Sequence, residues 1–261
     1  MTPPIAKLLP AVEIFVREAG GVILEVYARD IAVSRKRDDS PVTIADQRAE
    51  TVLLRGLAML TPSIPVVAEE AVAAGGAPDP QELGDRFWLV DPLDGTREFI
   101  DRNGEFTVNV ALIEAGAPVL GVVFAPALGR LYAGIVGGGA WREDDHGRVA
   151  IRCRAPLTEG VAVVTSRSHG DAEALQKFLT GIDVASVVPS GSSLKLCLLA
   201  EGSADLYPRL GRTMEWDIAA GHAVLVAAGG TVSRLDDDTA LRYGKSGFEN
   251  PHFVARGLSR A

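Results

Sequence analysis

The sequence predicts a layered α+β fold, and three observations carry that prediction. The segments 106–113, 119–124 and 131–136 are β-rich and separated by short turns, the pattern of an antiparallel meander. From residue 161 onward, short apolar runs alternate with helix-like segments, the pattern of an α/β layer. Ahead of both, Ile5, Leu8, Leu9, Val12, Val16, Ala19, Val22, Ile23 and Val26 recur at spacings of three and four, which predicts one long amphipathic helix. With 261 residues the chain has enough length for a large core. A division into 1–150 and 151–261 is expected, with the boundary in the acidic, turn-rich stretch near 145–158.

Taken in order, the first helix is followed by a short strand at 31–35 and a polar loop at 36–43. A second helix runs from 44 to 60, with Asp46 in its first turn and Pro62 just beyond its end. A short apolar strand at 64–68 leads into Glu69-Glu70, and the Ala-, Gly- and Pro-rich stretch 71–84 reads as a loop. The second half gives strands at 161–165, 184–188, 204–207 and 231–235 and helices at 171–179, 192–200 and 218–228. The loops Ser166-Arg167-Ser168-His169 and Ser190-Gly191-Ser192-Ser193 sit where a strand feeds a helix. Free N–H groups there suit a phosphate, or simply cap the helix.

Net charge is -8, which argues against an extended nucleic-acid surface but not against a small nucleotide. Cys153 and Cys197 form no CxxC unit and read as reduced thiols. Glu13, Arg17 and Glu18 interrupt the N-terminal apolar pattern, so it has no signal-peptide core, and no apolar run approaches membrane-spanning length. A cytoplasmic protein is expected.

The densest chemistry lies in 87–109. Phe87-Trp88-Leu89-Val90 reads as a buried strand that delivers Asp91; Pro92 is expected to stop the ladder, and Asp94-Gly95 to turn the chain into Thr96. Two carboxylates, the Leu93 carbonyl and a hydroxyl on one bend either make only a turn or hold a hard cation. Glu69, Asp46 and Asp217 are further acids at element ends, with no His or Cys at zinc spacing. All-oxygen ligation points to Mg²⁺, with Mn²⁺ possible, and several carboxylates suit two-metal hydrolysis of a phosphate monoester. Asp-Gly-Thr also ends the DxDGT motif of haloacid-dehalogenase-type phosphatases, but Pro92 stands where their nucleophilic aspartate would be. A covalent aspartyl-phosphate route is therefore disfavoured.

Trp88-x-x-Asp91-Pro92-Leu93-Asp94-Gly95-Thr96, together with Trp216-Asp217-x-Ala219-Ala220-Gly221, resembles the paired signatures of the inositol monophosphatase superfamily. Ser40-Pro41-Val42-Thr43-x-x-Asp46 and Glu69-Glu70 resemble further segments of it. Within it, Glu98-Phe99-Ile100, Arg102 to Thr107, Gly191-Ser192-Ser193-Leu194-Lys195 and Leu206-Tyr207-Pro208-Arg209 are most similar to the 3′(2′),5′-bisphosphate nucleotidases; Arg97 departs from the lysine common in that subgroup.

The resemblance implies an αβαβα sandwich with two or three Mg²⁺ ions. Glu69, Asp91, Asp94, Asp217 and the Leu93 carbonyl would ligate metal, with Asp46 as a further ligand or an orienting group for Thr96. Glu69 and Thr96 would position the attacking water, and Gly95 and Thr96 would offer N–H groups to the scissile phosphate. Ser166, His169, Gly191, Ser192, Ser193 and Lys195 would hold the nucleotide and its second phosphate. The implied reaction converts adenosine 3′,5′-bisphosphate to AMP and phosphate. The alternatives are another substrate (inositol phosphate, another sugar phosphate or 3′-phosphoadenylyl sulfate), a non-catalytic regulator, or structural Ca²⁺ sites.

Overall fold

The computed structural model describes residues 4–28, 33–35, 41–167 and 171–259. In order, the elements are α1 (Ile5–Tyr27), β1 (Val33–Arg35), β2 (Pro41–Thr43), α2 (Ile44–Leu60), β3 (Val66–Ala68), α3 (Glu69–Ala73), β4 (Arg86–Asp94) and α4 (Thr96–Ile100). Then come β5 (Thr107–Glu114), β6 (Ala117–Ala125), β7 (Arg130–Ile135), β8 (Gly139–Asp144) and β9 (Gly147–Ile151). The remainder is β10 (Val161–Ser166), α5 (Ala172–Phe178), β11 (Val184–Ser190), α6 (Leu194–Ala200), β12 (Leu206–Arg209), α7 (Glu215–Ala227), β13 (Thr231–Arg234) and β14 (Phe253–Arg256).

Five layers result. The apolar stripe of α1 and the Leu53–Leu57 face of α2 pack together and against one face of a seven-stranded sheet, ordered β3-β4-β5-β6-β7-β8-β9. That sheet is antiparallel except where β3 pairs with β4. Helices α7 and α6 form the middle layer. Behind them lies a five-stranded sheet, ordered β11-β10-β12-β14-β13. Phe178 and Leu179, at the end of α5, close the far face against Val163, Leu206 and Val254. This is the αβαβα arrangement that the resemblance implied.

The meander is longer than the sequence suggested: β8 and β9 form a further hairpin across the acidic stretch that reads as a turn. Strand β14, which lies between β12 and β13, was also not anticipated. Ten of the thirteen residues of α7 are buried, as a helix between two sheets requires. Its close approach to the first sheet depends on small residues in register across four strands, Ala111, Gly121, Gly134 and Ala140. A Cβ on Gly121 would lie 2.2 Å from the Ala220 carbonyl oxygen, and one on Gly134 2.9 Å from Val224 Cα. One apolar cluster draws on both β-sheets, joining Leu89, Ile113 and Tyr132 to Val164, Trp216 and Phe253. Among the described residues, no helix is long and apolar enough to cross a membrane.

Candidate active site

Strand β4 continues through Pro92, contrary to expectation. Asp91 faces Asn109 and Asp94 faces Thr107, so β4 holds one more residue than β5 between the two pairs. This bulge takes up the proline, which has no N–H for the ladder, and re-aims the two aspartates. The Leu93 N–H turns back to Asp91 Oδ1 at 3.0 Å, and Asn109 Nδ2 donates to Asp94 Oδ2 at 3.4 Å. Gly95 then adopts φ 88°, a region that favours glycine, and starts α4 at Thr96. The Thr96 hydroxyl lies 3.5 Å from the Leu93 carbonyl oxygen.

The neighbouring acids arrive from three other elements. Strand β3 runs parallel to β4 with Ala68 opposite Val90, which brings Glu69 out beside Asp91 as the sequence reading required. Glu69 is the first residue of α3, which takes in 71–73 of the stretch read as a loop, and the Glu70 N–H is held by Glu50 Oε2 at 2.8 Å. Asp217 lies in the first turn of α7, where Oδ2 accepts the Met214 N–H at 2.9 Å. Asp46 is fully buried in the first turn of α2; its charge acts on Asp91, but it does not line the cleft.

A cleft of about 570 Å³ joins Glu69, Asp91, Leu93, Asp94, Gly95, Thr96 and Asp217 to Ser166, Ser192, Ser193 and Lys195 from the second half of the chain. Lys195 is buried, donates to the Ser192 carbonyl and lies over the Tyr207 ring, 5.6 Å from its centroid. The Ser193 hydroxyl donates to the Asp217 carbonyl, tying α6 to α7. Gly191 sits behind the cleft: its N–H donates to Glu105 Oε2 at 2.7 Å. His169 lies outside the described residues. The sequence reading assigned no role to Arg209 and Arg212, which also line the cleft. Arg209 is buried and braced on the Gly211 and Arg212 carbonyls at 3.1 and 2.6 Å. An arginine just after the short apolar run 204–207 was the available signal.

The acids oppose one another. Burial, then Glu69, Asp94, Asp217 and Asp46, push Asp91 well above the usual carboxylate range. Burial raises Asp94 to about 6 despite the pull of Lys195, and burial with Asp94 and Glu69 raises Asp217 to about 8. Among the described residues, no three His, Cys, Asp or Glu side chains are gathered so as to hold an ion by themselves. Mg²⁺ does not need such a cage: it keeps several waters and takes one or two carboxylates plus substrate phosphate. Buried and half-buried, mutually repelling oxygen donors with the Leu93 carbonyl beside them fit that ion.

A stability prediction follows. These carboxylates hold protons in the folded state that the unfolded chain releases above about pH 4, so cation-free stability falls as pH rises from there to about 8. Mg²⁺ needs the ionised forms, so its stabilising effect grows over the same interval. The gap in Tm between Mg²⁺ and EDTA should widen from about pH 5 to about pH 8. A gap independent of pH would contradict this account of the acids.

The family model of the inositol monophosphatase family matches residues 6–256. The chain belongs to the inositol monophosphatase family. Within that family, the "3′(2′),5′-bisphosphate nucleotidase CysQ" of Salmonella typhimurium is 50% identical, over 91% of this chain and 94% of the relative. The protein of that name from Escherichia coli K12 is 47% identical over the same shares. Among solved structures, CysQ from Bacteroides thetaiotaomicron superposes with a TM-score of 0.81 at 36% identity, over 96% of this chain and 97% of that one. An inositol monophosphatase from Anabaena, another family member, gives 0.75 at 27% identity, over 97% and 91%.

Proposed function

We propose that this chain is a Mg²⁺-dependent 3′(2′),5′-bisphosphate nucleotidase that hydrolyses adenosine 3′,5′-bisphosphate to AMP and phosphate. The observation that carries the reading is that both signs of charge line this cleft. Asp91, Asp94, Asp217 and Glu69 line it together with Lys195, Arg209 and Arg212, which bring cationic groups into the same volume. A substrate with two phosphates uses both. The names of the CysQ relatives support the choice of substrate.

In this reading Asp91, Asp94, Asp217, Glu69 and the Leu93 carbonyl hold two or three Mg²⁺ ions, with Asp46 as a further ligand or orienting group; Mn²⁺ can substitute. Bound Mg²⁺ supplies positive charge at the phosphate and acidifies water. Glu69 and Thr96 orient the attacking water, and the Glu69 carboxylate takes up its proton. Gly95 and Thr96 offer N–H groups to the scissile phosphate. Ser166, His169, Ser192, Ser193, Lys195 and Arg209 hold the nucleotide and its other phosphate, which leaves with AMP. Glu69 and the strip 91–96 thus come from 1–150, and Asp217 and the nucleotide loops from 151–261. Cys153 and Cys197, both buried and unpaired in a disulfide, suit a reducing cytoplasm.

The test compares kcat/KM for adenosine 3′,5′-bisphosphate, 3′-phosphoadenylyl sulfate and inositol 1-phosphate in Mg²⁺. The bisphosphate should be preferred. A preference for inositol 1-phosphate would overturn the substrate assignment while leaving the metal site in place.

A further inference from the structure

Glu105 does not line the cleft, yet its carboxylate sits at a junction between the two halves of the chain. Arg167, just beyond β10, donates to it through both Nε, at 3.0 Å, and Nη2, at 2.8 Å. The same carboxylate accepts the Gly191 N–H at 2.7 Å. Arg167 also reaches the other flank of that turn: its Nη2 lies 3.2 Å from the Pro189 carbonyl and its N–H 3.3 Å from the Ser190 carbonyl. One acid from the loop after α4 therefore grips the β11–α6 turn directly at Gly191 and, through Arg167, at 189–190.

That turn needs a grip. Ser192 has φ 44°, a left-handed conformation that costs a non-glycine residue on the order of 1 kcal/mol and persists only where its surroundings impose it. Gly191 has no room for a side chain: a Cβ would lie 2.7 Å from Glu98 Cγ and 3.0 Å from the Glu105 carbonyl oxygen. The strained residue places two groups in the cleft. The Ser192 hydroxyl is buried and has no hydrogen-bond partner in the protein, and the Ser192 carbonyl anchors the Lys195 ammonium. Ser192 also packs next to the catalytic strip, since a Cβ on Gly95 would lie 3.3 Å from Ser192 Cβ.

We infer that Glu105 is a positioning residue for the subsite of the phosphate that is not cleaved, acting through Gly191 on Ser192 and Lys195. This rests on the bisphosphate reading above. Without the carboxylate, the Gly191 N–H loses its acceptor and Arg167 its partner. The turn then relaxes toward ordinary φ, and both Ser192 Oγ and Lys195 Nζ leave their places. Neither Glu105 nor Arg167 bonds to Asp91, Asp94 or Thr96, and Asp94 feels the turn through Lys195 and the Ser193 N–H, so kcat should change less than KM.

The test measures kcat and KM of the parent, Glu105→Ala, Glu105→Gln and Arg167→Ala in Mg²⁺, on adenosine 3′,5′-bisphosphate and on adenosine 3′-monophosphate, which lacks the second phosphate. Glu105→Ala should raise KM for the bisphosphate by roughly 10- to 100-fold, with kcat and the monophosphate kcat/KM changed less than about threefold. Glu105→Gln keeps a carbonyl acceptor for Gly191 and should recover most of the loss. If Glu105→Ala does not fold, Arg167→Ala reads the same selective rise in KM at smaller amplitude. Equal losses on both substrates, or an unchanged bisphosphate KM, would overturn the inference. A parent that does not discriminate between the two substrates would instead overturn the nucleotidase reading, and this inference with it.

Discussion

Asp94→Asn is expected to cost roughly a thousandfold in kcat/KM while leaving the cation-free protein at least as stable as the parent. The two halves of this prediction have one cause. Asp94 is half-buried near Glu98 and Glu69, and burial and those acids oppose its negative charge, which only partly gains from Lys195 and the Ser193 N–H. Asparagine keeps an oxygen for the Asn109 Nδ2 donor and removes the charge. The fold loses a repulsion, and the site loses a ligand that neutralises cation charge at the phosphate. Steady-state kinetics in Mg²⁺ and thermal unfolding in EDTA measure the two effects separately. Hydrolysis at the parental rate would remove Asp94 from the metal site. A large fall in Tm in EDTA would show that it is structural.

The second large effect is a change at a residue that does not line the cleft. Gly121→Val should destabilise the fold by about 3 kcal/mol or more, a fall in Tm of roughly 6–12 °C for a chain of this size. The new side chain meets the Ala220 carbonyl and Ala223 Cβ on α7, and backbone cannot step aside as a flexible side chain can. Because α7 carries Asp217 in its first turn, lifting the helix should also weaken the stabilisation that Mg²⁺ gives. Gly21→Ala is the control: Gly21 is an exposed helical residue with nothing within 4 Å of a new Cβ. It should be neutral or stabilising by about 0.5–1 kcal/mol. Equal Tm values for Gly121→Val and the parent would mean that α7 does not depend on the glycine channel.

These two sites also show what the sequence discloses. Asp94 was legible because acids at strand ends, three residues apart and followed by Gly-Thr, have a local chemical meaning. Helices α1 and α2 were legible from apolar spacing. The role of Gly121 was not, because it depends on strand register: the glycine matters only once Ala111, Gly134 and Ala140 lie beside it under α7. Pro92 misled for a related reason. A proline usually ends a central ladder, but the bulge opposite 107–109 absorbs it. The hairpin of β8 and β9 was hidden because its turn, at Asp145-His146, is embedded in acidic residues that read as loop. The Glu105–Arg167 pair joins residues 62 positions apart, beyond the reach of any local pattern.

The central claim is that the strip from Asp91 to Thr96, with Glu69 and Asp217, is a metal-binding phosphate site facing a cationic nucleotide subsite. Anomalous diffraction from crystals soaked with Mn²⁺ and AMP tests it most directly. The account predicts at least two manganese peaks against Asp91, Asp94 and Asp217, with the AMP phosphate toward Lys195 and Arg209. Manganese bound only at surface acids such as 236–238, or AMP seated outside this cleft, would contradict it.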